Sequence, residues 1–585
     1  MYLKCLSRGE LFGLSNSNCS TTRFNSDWSQ KRRNGASVNR FIRQKLLIRF
    51  LAASFIVLLL TGMTGCNRLS QNSLNLFTQP GATVFVSKQA PIMVSMLVNP
   101  NRFDALDGEI KLSKLKTNLF ANTGLDYQKD VQPWLGNEIT LAVTTDDIDR
   151  DAVNGKQPGY LIALTTKDAT QSREFIQVLF SKRVLAGTSL VVEQYKGVKL
   201  ISDTPQTAEI KKPLAATVVG NNFVLFANDA KILREAVNNL QAPGLSLASL
   251  DKYQQAIKQL GNQTQAVTFL NLPAVAKWQG LNLSSPLTYN NQLISLATKS
   301  PGLLAETSLL ADSPITPAEE LSEKIALLSY IPATSGLVIA GKDLSNLDNS
   351  NVGLFWQQTY SVISGDSGEN ATSQITQPLT NLQKRWGINL KKDIFSWVKG
   401  EYAIALLPNS DNQTLEWVFI TEKSSTTASD ILHLDEIAAQ NGLTISPINL
   451  NEQKISTWTE LTTTGNKASN FSIQAKVLGA HTSKDNYEIF TSSIELMDEV
   501  LNNKENFFND NRNFQKSIAA IPQPNQGYVF IDWTKSQNFI ENQLPILKLV
   551  EIIGKPFFDK LQSLTISSYD NDSNLLKAGA LFIFN

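Results

Sequence analysis

The chain is poor in the residues that metal and nucleophile chemistry rely on, with two histidines and three cysteines among 585 residues. His433 lies in a helical stretch and His481 is read as lying in a loop that the first half of the chain lacks. Neither has a partner at ligand spacing, so both read as surface or capping residues, and neither a metal site nor a bound cofactor is expected. Cys5, Cys19 and Cys66 all precede the body of the protein. A disulfide framework there is thereby excluded, even in an oxidising compartment. Charge is sparse as well, at 18% of residues, and the net +1 hides a split. Residues 1–65 hold ten basic residues and two acids, which leaves 43 basic and 50 acidic residues for the rest. A mildly acidic body lacks the phosphate attraction that dominates nucleic-acid affinity, so nucleic acid is excluded as a partner.

Long apolar runs are absent except for one. Seven basic residues between Lys31 and Arg49 lead into the uncharged stretch Phe50 to Met63, followed by Thr64, Gly65 and Cys66. A positive flank, a short apolar run and a small-residue exit predict a signal peptide over 38–65. Fourteen uncharged residues fall short of the roughly 20 that span a bilayer, so an uncleaved anchor is the second choice. The exit resembles the lipobox of bacterial lipoproteins, although Met63 stands where Leu is usual. That resemblance implies lipidation of Cys66 and a membrane-anchored body on the exported side, periplasmic or lumenal. Residues 1–37 are read as untranslated or as a disordered basic extension, and 66–76 as a tether.

Two stretches repeat without a gap: GLDYQKDVQPWLGNEITLAV from Gly124 to Val143 and GINLKKDIFSWVKGEYAIAL from Gly387 to Leu406. They share Asp130 with Asp393, Trp134 with Trp397 and Glu138 with Glu401. Colinear matches follow, Asn222–Phe226 with Asn486–Phe490, Tyr253–Ile257 with Phe514–Ile518, and Gln265–Asn271 with Gln526–Asp532. These predict a tandem duplication, with unit one over 77–311, a Pro-rich and charged linker over 312–323, and unit two over 324–585. Runs such as Thr83–Val86, Pro91–Val98, Tyr160–Thr165 and Leu190–Gln194 read as strands, while Asp229–Leu240 and Ser493–Asn502 have the 3- and 4-residue spacing of helices. Ser492 and Glu495 have the spacing of a capping box. Strands adjacent in sequence mixed with helices predict an α+β fold, each unit a largely antiparallel sheet packed with helices. Ile139, Leu141 and Val143, and likewise Tyr402, Ile404 and Leu406, are the expected inward faces of half-buried strands.

On the block G-(L/I)-x-x-x-x-D-(V/I)-x-x-W-(L/V), present twice, this layout resembles the DUF3352 family of cyanobacterial proteins of unknown function. The resemblance covers almost everything after the tether. It implies a membrane-targeting N-terminus and an exported body, and it leaves the function open.

Other motifs fail on chemistry. Gly365-Asp-Ser-Gly368 copies a serine-protease box, but both histidines lie downstream of it, opposite to that fold's order. Gly336 to Lys342 has Walker A spacing, but an apolar strand fills it and Asp343 stands where a hydroxyl should meet Mg²⁺. Asp147, Asp149 and Asp151 begin like a calcium loop but lack its turn glycine and terminal glutamate. Asp130, Glu138, Asp393 and Glu401 are read as capping residues around a tryptophan that plugs the core. The favoured function is a non-enzymatic envelope protein that binds a protein partner or an apolar ligand in a cleft between sheet and helices or between units. The alternative is a hydrolase of envelope polymers, using those carboxylates.

Overall fold

The computed structural model describes residues 79–97, 127–151, 155–205, 213–261, 263–281, 283, 287–312, 325–351, 353–355, 357–358, 388–408, 415–464, 472–502, 507–537, 558–572 and 575–584. The expectations for residues 1–76, Cys66 among them, for 313–323 of the linker and for the Gly365–Gly368 loop fall outside these residues.

In chain order the first half holds β1 (Ile92–Met96), β2 (Leu135–Thr145), β3 (Gly159–Thr166), α1 (Ala169–Leu185), β4 (Thr188–Tyr195), β5 (Val198–Pro205), β6 (Ala215–Val219) and β7 (Phe223–Ala227). It continues with α2 (Ala230–Gln241), α3 (Asp251–Ile257), β8 (Thr264–Asn271), α4 (Leu272–Gln279), β9 (Tyr289–Lys299) and β10 (Gly302–Ala311). The second half holds β11 (Leu337–Lys342), β12 (Glu401–Pro408), β13 (Leu415–Glu422), α5 (Thr427–Gln440), β14 (Thr444–Leu450), β15 (Gln453–Thr464), β16 (Ser472–Lys484) and β17 (Tyr487–Thr491). It ends with α6 (Ile494–Asn502), α7 (Arg512–Ala520), β18 (Gly527–Asp532), β19 (Leu561–Asp572) and β20 (Leu575–Phe584).

The fold is α+β, built on one large sheet in which every ladder among the described residues is antiparallel. The first-half strands lie in the order β4-β5-β6-β7-β3-β2-β1-β8-β9-β10. The second-half strands lie in the order β14-β15-β16-β17-β13-β12-β11-β18-β19-β20, the same connectivity. β10 pairs with β20, Gly302 opposite Ile583, Glu306 opposite Gly579 and Leu310 opposite Leu575, so the sheet is continuous across the two halves.

Helices cover both faces of each half. In the first half α2 and α3 pack on one face through Ile232, Leu233, Ala236, Tyr253 and Ile257, and α1 packs on the other through Ile176 and Phe180. In the second half α6 and α7 cover one face and α5 the other. This corrects the half-buried strand. Thr140 and Ala142, expected to face outward, are buried, while Ile139 and Leu141 are only half-buried. In β12 every residue from Tyr402 to Leu407 is buried. Small residues on one face (Ala142, Ala403, Ala405) admit a close helix and larger ones face the other layer, so the strands alternate in side-chain size and not in exposure.

Two local readings also change. Thr83–Val86, a β-branched run, lies at the end of a short 3-10 helix, Gly81–Val84, because the Glu138 carboxylate takes the Gly81 and Ala82 N–H groups at 2.8 and 2.9 Å and holds the turn. The cap of α6 is Ser493, whose hydroxyl accepts from the Leu496 N–H at 3.2 Å. Ser492 instead accepts from the Trp417 N–H, one position off the expected box. The α2 cap is Asp229, which accepts from the Lys231 N–H at 2.7 Å.

Candidate functional site

The repeated block forms the same turn twice. A single π-type turn (Tyr127–Val131, Leu390–Ile394) precedes each tryptophan, and each indole N–H donates back to the turn, Trp134 to the Asp130 carbonyl at 2.8 Å and Trp397 to the Asp393 carbonyl at 3.0 Å. Both rings are buried, which satisfies their one donor without exposing it. Three of the block's carboxylates accept from backbone N–H groups. Asp393 accepts from the Asn389 N–H at 2.7 Å. Glu138 takes two backbone N–H groups and the Thr140 hydroxyl, and Glu401 accepts from the Ala326 N–H at 3.2 Å, at the start of the 3-10 helix Ala326–Tyr330. Burial pushes the Glu138 carboxyl above its ordinary value, against the pull of the Ala82 and Gly81 N–H groups. Groups used in this way hold short helices against the sheet.

A different site stands out in the second half, between the sheet and α5. An apolar cavity of about 60 Å³, more than the roughly 10–15 Å³ one water needs, is walled by aromatic residues and aliphatic side chains. Ile404, Trp417, Phe419, Trp458 and Phe490 come from the sheet, and Leu434 and Ala438 from α5. Ile388, Leu390, Ile394, Phe395 and Leu443 complete the wall, of which only Ile394 and Leu443 keep appreciable contact with solvent. No polar side chain lines it.

Directly behind Trp458 and Phe490 lies a cluster the sequence did not reveal. His481 Nε2 is 3.2 Å from Asp435 Oδ1, its Nδ1 is 3.9 Å from Glu488 Oε1, and its ring stacks on Phe490 and tilts against Trp458 at centroid distances of 5.6 and 5.3 Å. The Trp458 N–H donates to Asp435 at 2.6 Å, and the Ser483 hydroxyl donates to Glu488. Burial alone would lower the imidazole's affinity for a proton, but the hydrogen bonds and charges of Asp435 and Glu488 raise it above the ordinary histidine value. For Asp435, burial works upward and the hydrogen bonds from His481 and Trp458 win, holding it below the usual carboxylate value. His481 is thus neither in a loop nor at the surface. It lies buried in β16, whose counterpart β6 carries Ala216, a residue too unlike histidine to show the register in sequence. His433, by contrast, is exposed on α5.

Hydrogen bonding fixes which first-half residues stand at these places. α1 ends with the Ala186 N–H on the Lys182 carbonyl and Gly187 on Val184, and α5 ends with Asn441 on Ile437 and Gly442 on Ala439. Gly187 and Gly442 both adopt positive φ, the usual glycine stop after a helix. Counting back from them, Leu179 matches Leu434, Phe180 matches Asp435 and Arg183 matches Ala438. The next hairpins turn on two positive-φ residues each, Lys196-Gly197 and Asn451-Glu452, so Asp203 matches Trp458. The Thr217 hydroxyl donates to the Lys199 carbonyl and Thr482 to the Lys454 carbonyl, both at 2.8 Å, and Ala216 and His481 face Phe226 and Phe490. One pairing further, Val224 matches Glu488. The half-buried Asp435 and the buried His481 and Glu488 therefore replace Phe180, Ala216 and Val224, which are fully apolar and packed with Trp134. Where the cavity has Ala438 and Trp458, the first half has Arg183 bound to Asp203 through Nε and, at 3.1 Å, through Nη2.

The family described as "Protein of unknown function (DUF3352)" matches residues 51–583. The chain belongs to the DUF3352 family. No curated protein matches it. The solved structures similar to this DUF3352 chain include two titled "Structure of crystal form I of TP0453" and "Structure of crystal form III of TP0453", each 11% identical. The first covers 41% of this chain and 82% of its own at a TM-score of 0.24, the second 42% and 90% at 0.23. Overlaps this shallow bear on neither fold nor role. No helix among the described residues of the DUF3352 chain is long and apolar enough to cross a membrane, and these residues hold no group of three His, Cys, Asp or Glu side chains arranged for a metal ion.

Proposed function

We propose that this protein is an exported, lipid-anchored, non-enzymatic binder that holds an apolar ligand in the cavity of its second half. The observation that carries the reading is a wall without a single polar side chain, built from residues of the sheet and of α5. A ligand inside such a wall must itself be uncharged and free of unmatched hydrogen-bond groups, because burying either costs several kcal/mol, roughly 2–7 for a polar group. A small apolar group, such as the end of a hydrocarbon chain, meets that condition and suits a space of about 60 Å³. Glu138, Asp393 and Glu401 of the repeated block accept from backbone N–H groups, which supports a structural role for them over hydrolysis. We further infer that the two halves arose by tandem duplication, a reading supported by the shared strand order, the matched tryptophan hydrogen bonds and the repeated block.

Xenon, an apolar atom small enough for about 60 Å³, tests the binding. A saturable xenon-dependent shift in the NMR signals of the cavity residues, with one site per chain, is expected, reduced at least about tenfold in affinity by Ala438→Trp, which fills the cavity. Absence of saturation, or unchanged affinity in a folded Ala438→Trp protein, counts against it. The anchor is tested separately by N-terminal peptide mass analysis of the membrane fraction. A mature chain that begins at an acylated Cys66 is expected, and recovery of an unmodified peptide spanning Gly65 and Cys66 from most molecules rejects cleavage.

A further inference from the structure

We infer that the first half carries a counterpart of this site, open to solvent at Tyr160 and Ile162 but blocked between helix and hairpin, and that the residue pair Arg183 and Asp203, against Ala438 and Trp458, decides which half can take a ligand. The inference rests on the binding reading above and adds what controls it.

The two places share a scaffold. Leu179 and Leu434 are both buried on the helix face toward the sheet, Phe226 and Phe490 lie in the same strand position, and Trp134 and Trp397 approach from the same turn. What differs is what reaches between helix and hairpin. Arg183 extends from α1 to Asp203 on β5, whose side chain has no solvent exposure and also accepts from the Leu214 N–H at 2.9 Å. A guanidinium held by two hydrogen bonds to one carboxylate is a rigid polar bar across the space. In the second half the helix residue ends at Cβ. The hairpin residue is Trp458, tied to Asp435 by its N–H and forming part of the wall. Loss of the long side chain opens the volume, and loss of the acid removes the only reason to keep a cation there.

A neighbouring exchange goes with this one. Asp435 stands where Phe180 fills the first-half core, and it accepts the Trp458 N–H that would otherwise be buried unpaired. Transplanting Trp alone into position 203 would leave that donor facing Phe180. Phenylalanine is therefore the right replacement there.

The experiment uses the full exported chain, xenon as the probe and four proteins: wild type, Ala438→Trp, the pair Ala438→Arg with Trp458→Asp, and the pair Arg183→Ala with Asp203→Phe. Folding is checked by far-UV circular dichroism and thermal melting. The expected stoichiometries are one site in wild type, none in the Ala438→Arg/Trp458→Asp protein within the probe's solubility, and two in the protein with its first-half bar removed. If Ala438→Trp abolishes binding while the folded Ala438→Arg/Trp458→Asp protein binds within about threefold of wild type, the blocking inference is wrong and the cavity reading stands. If Ala438→Trp leaves binding unchanged, the cavity reading itself has failed. A folded Arg183→Ala/Asp203→Phe protein that still shows one site also overturns the inference. Should that variant not fold, the Ala438→Arg/Trp458→Asp result decides alone.

Discussion

Replacing Trp397 with alanine is expected to lower stability by about 3–5 kcal/mol, and Trp134→Ala by a similar amount. Each removes a buried ring from a packed layer and leaves a void that neighbouring strands are too constrained to fill. Each also leaves a backbone carbonyl, Asp130 or Asp393, without its indole donor. Because β10 and β20 form one ladder, and Leu575 of the second half packs into the first-half core, damage should spread to both halves. Thermal melting of either variant should therefore show one transition, shifted to lower temperature. Two separated transitions, one at the wild-type temperature, would show instead that the halves unfold independently. A loss below about 1 kcal/mol would falsify the packing role of these rings.

His481→Ala should destabilise by about 3–5 kcal/mol, the usual result of removing one partner from a buried charge cluster. Glu488 would remain buried with only the Ser483 hydroxyl as partner, and the half-buried Asp435 would keep only the Trp458 indole, among the contacts described above. The first half shows how the place is filled without charge, since Ala216 and Val224 sit there in an apolar cluster. The double variant His481→Ala/Glu488→Val, which copies those two residues, should therefore be more stable than His481→Ala alone, and a denaturant titration of the two measures the difference. Equal losses would mean that packing on Trp458 and Phe490, and not charge, is what His481 supplies.

The same cluster sets a pH window for stability. The His481 imidazole holds its proton more tightly in the folded chain than in the unfolded one, where its pKa is about 6.5. Its contribution is therefore full below about 6.5 and is lost as pH rises through the folded value. Asp435 has the opposite sign. Its folded pKa lies below the unfolded value of about 3.9, so its contribution is present above that value and lost as pH falls through the folded one. The charged groups facing His481 in the described contacts are Asp435 from α5 and Glu488 from β17. His481→Ala should remove the alkaline limb of the stability profile that wild type shows.

Much of the architecture was legible because its signals are local. The Asp229 cap, the 3- and 4-residue apolar spacing of α2 and α6, and the alternation in β2 and β12 depend on residues a few positions apart. The block around Trp134 and Trp397 is local too, and the same turn and the same indole hydrogen bond follow from it in both places. Family membership could be read for the same reason, since the block is contiguous. Burial on both faces of the sheet could not be read from strand alternation, because a second helical layer covers what looked like an outer face. Nor could the cavity or the cluster behind it. Asp435, Trp458, His481 and Glu488 come from α5, β15, β16 and β17, and Asp435 and His481 are 46 positions apart in the chain. Their meeting depends on strand register and helix phase, which pairing of the whole sheet sets and no short window contains. Cavity volume is less local still, since it is the space left after every neighbour has packed, and a single change such as arginine to alanine at one helix position alters it without leaving a mark on any motif.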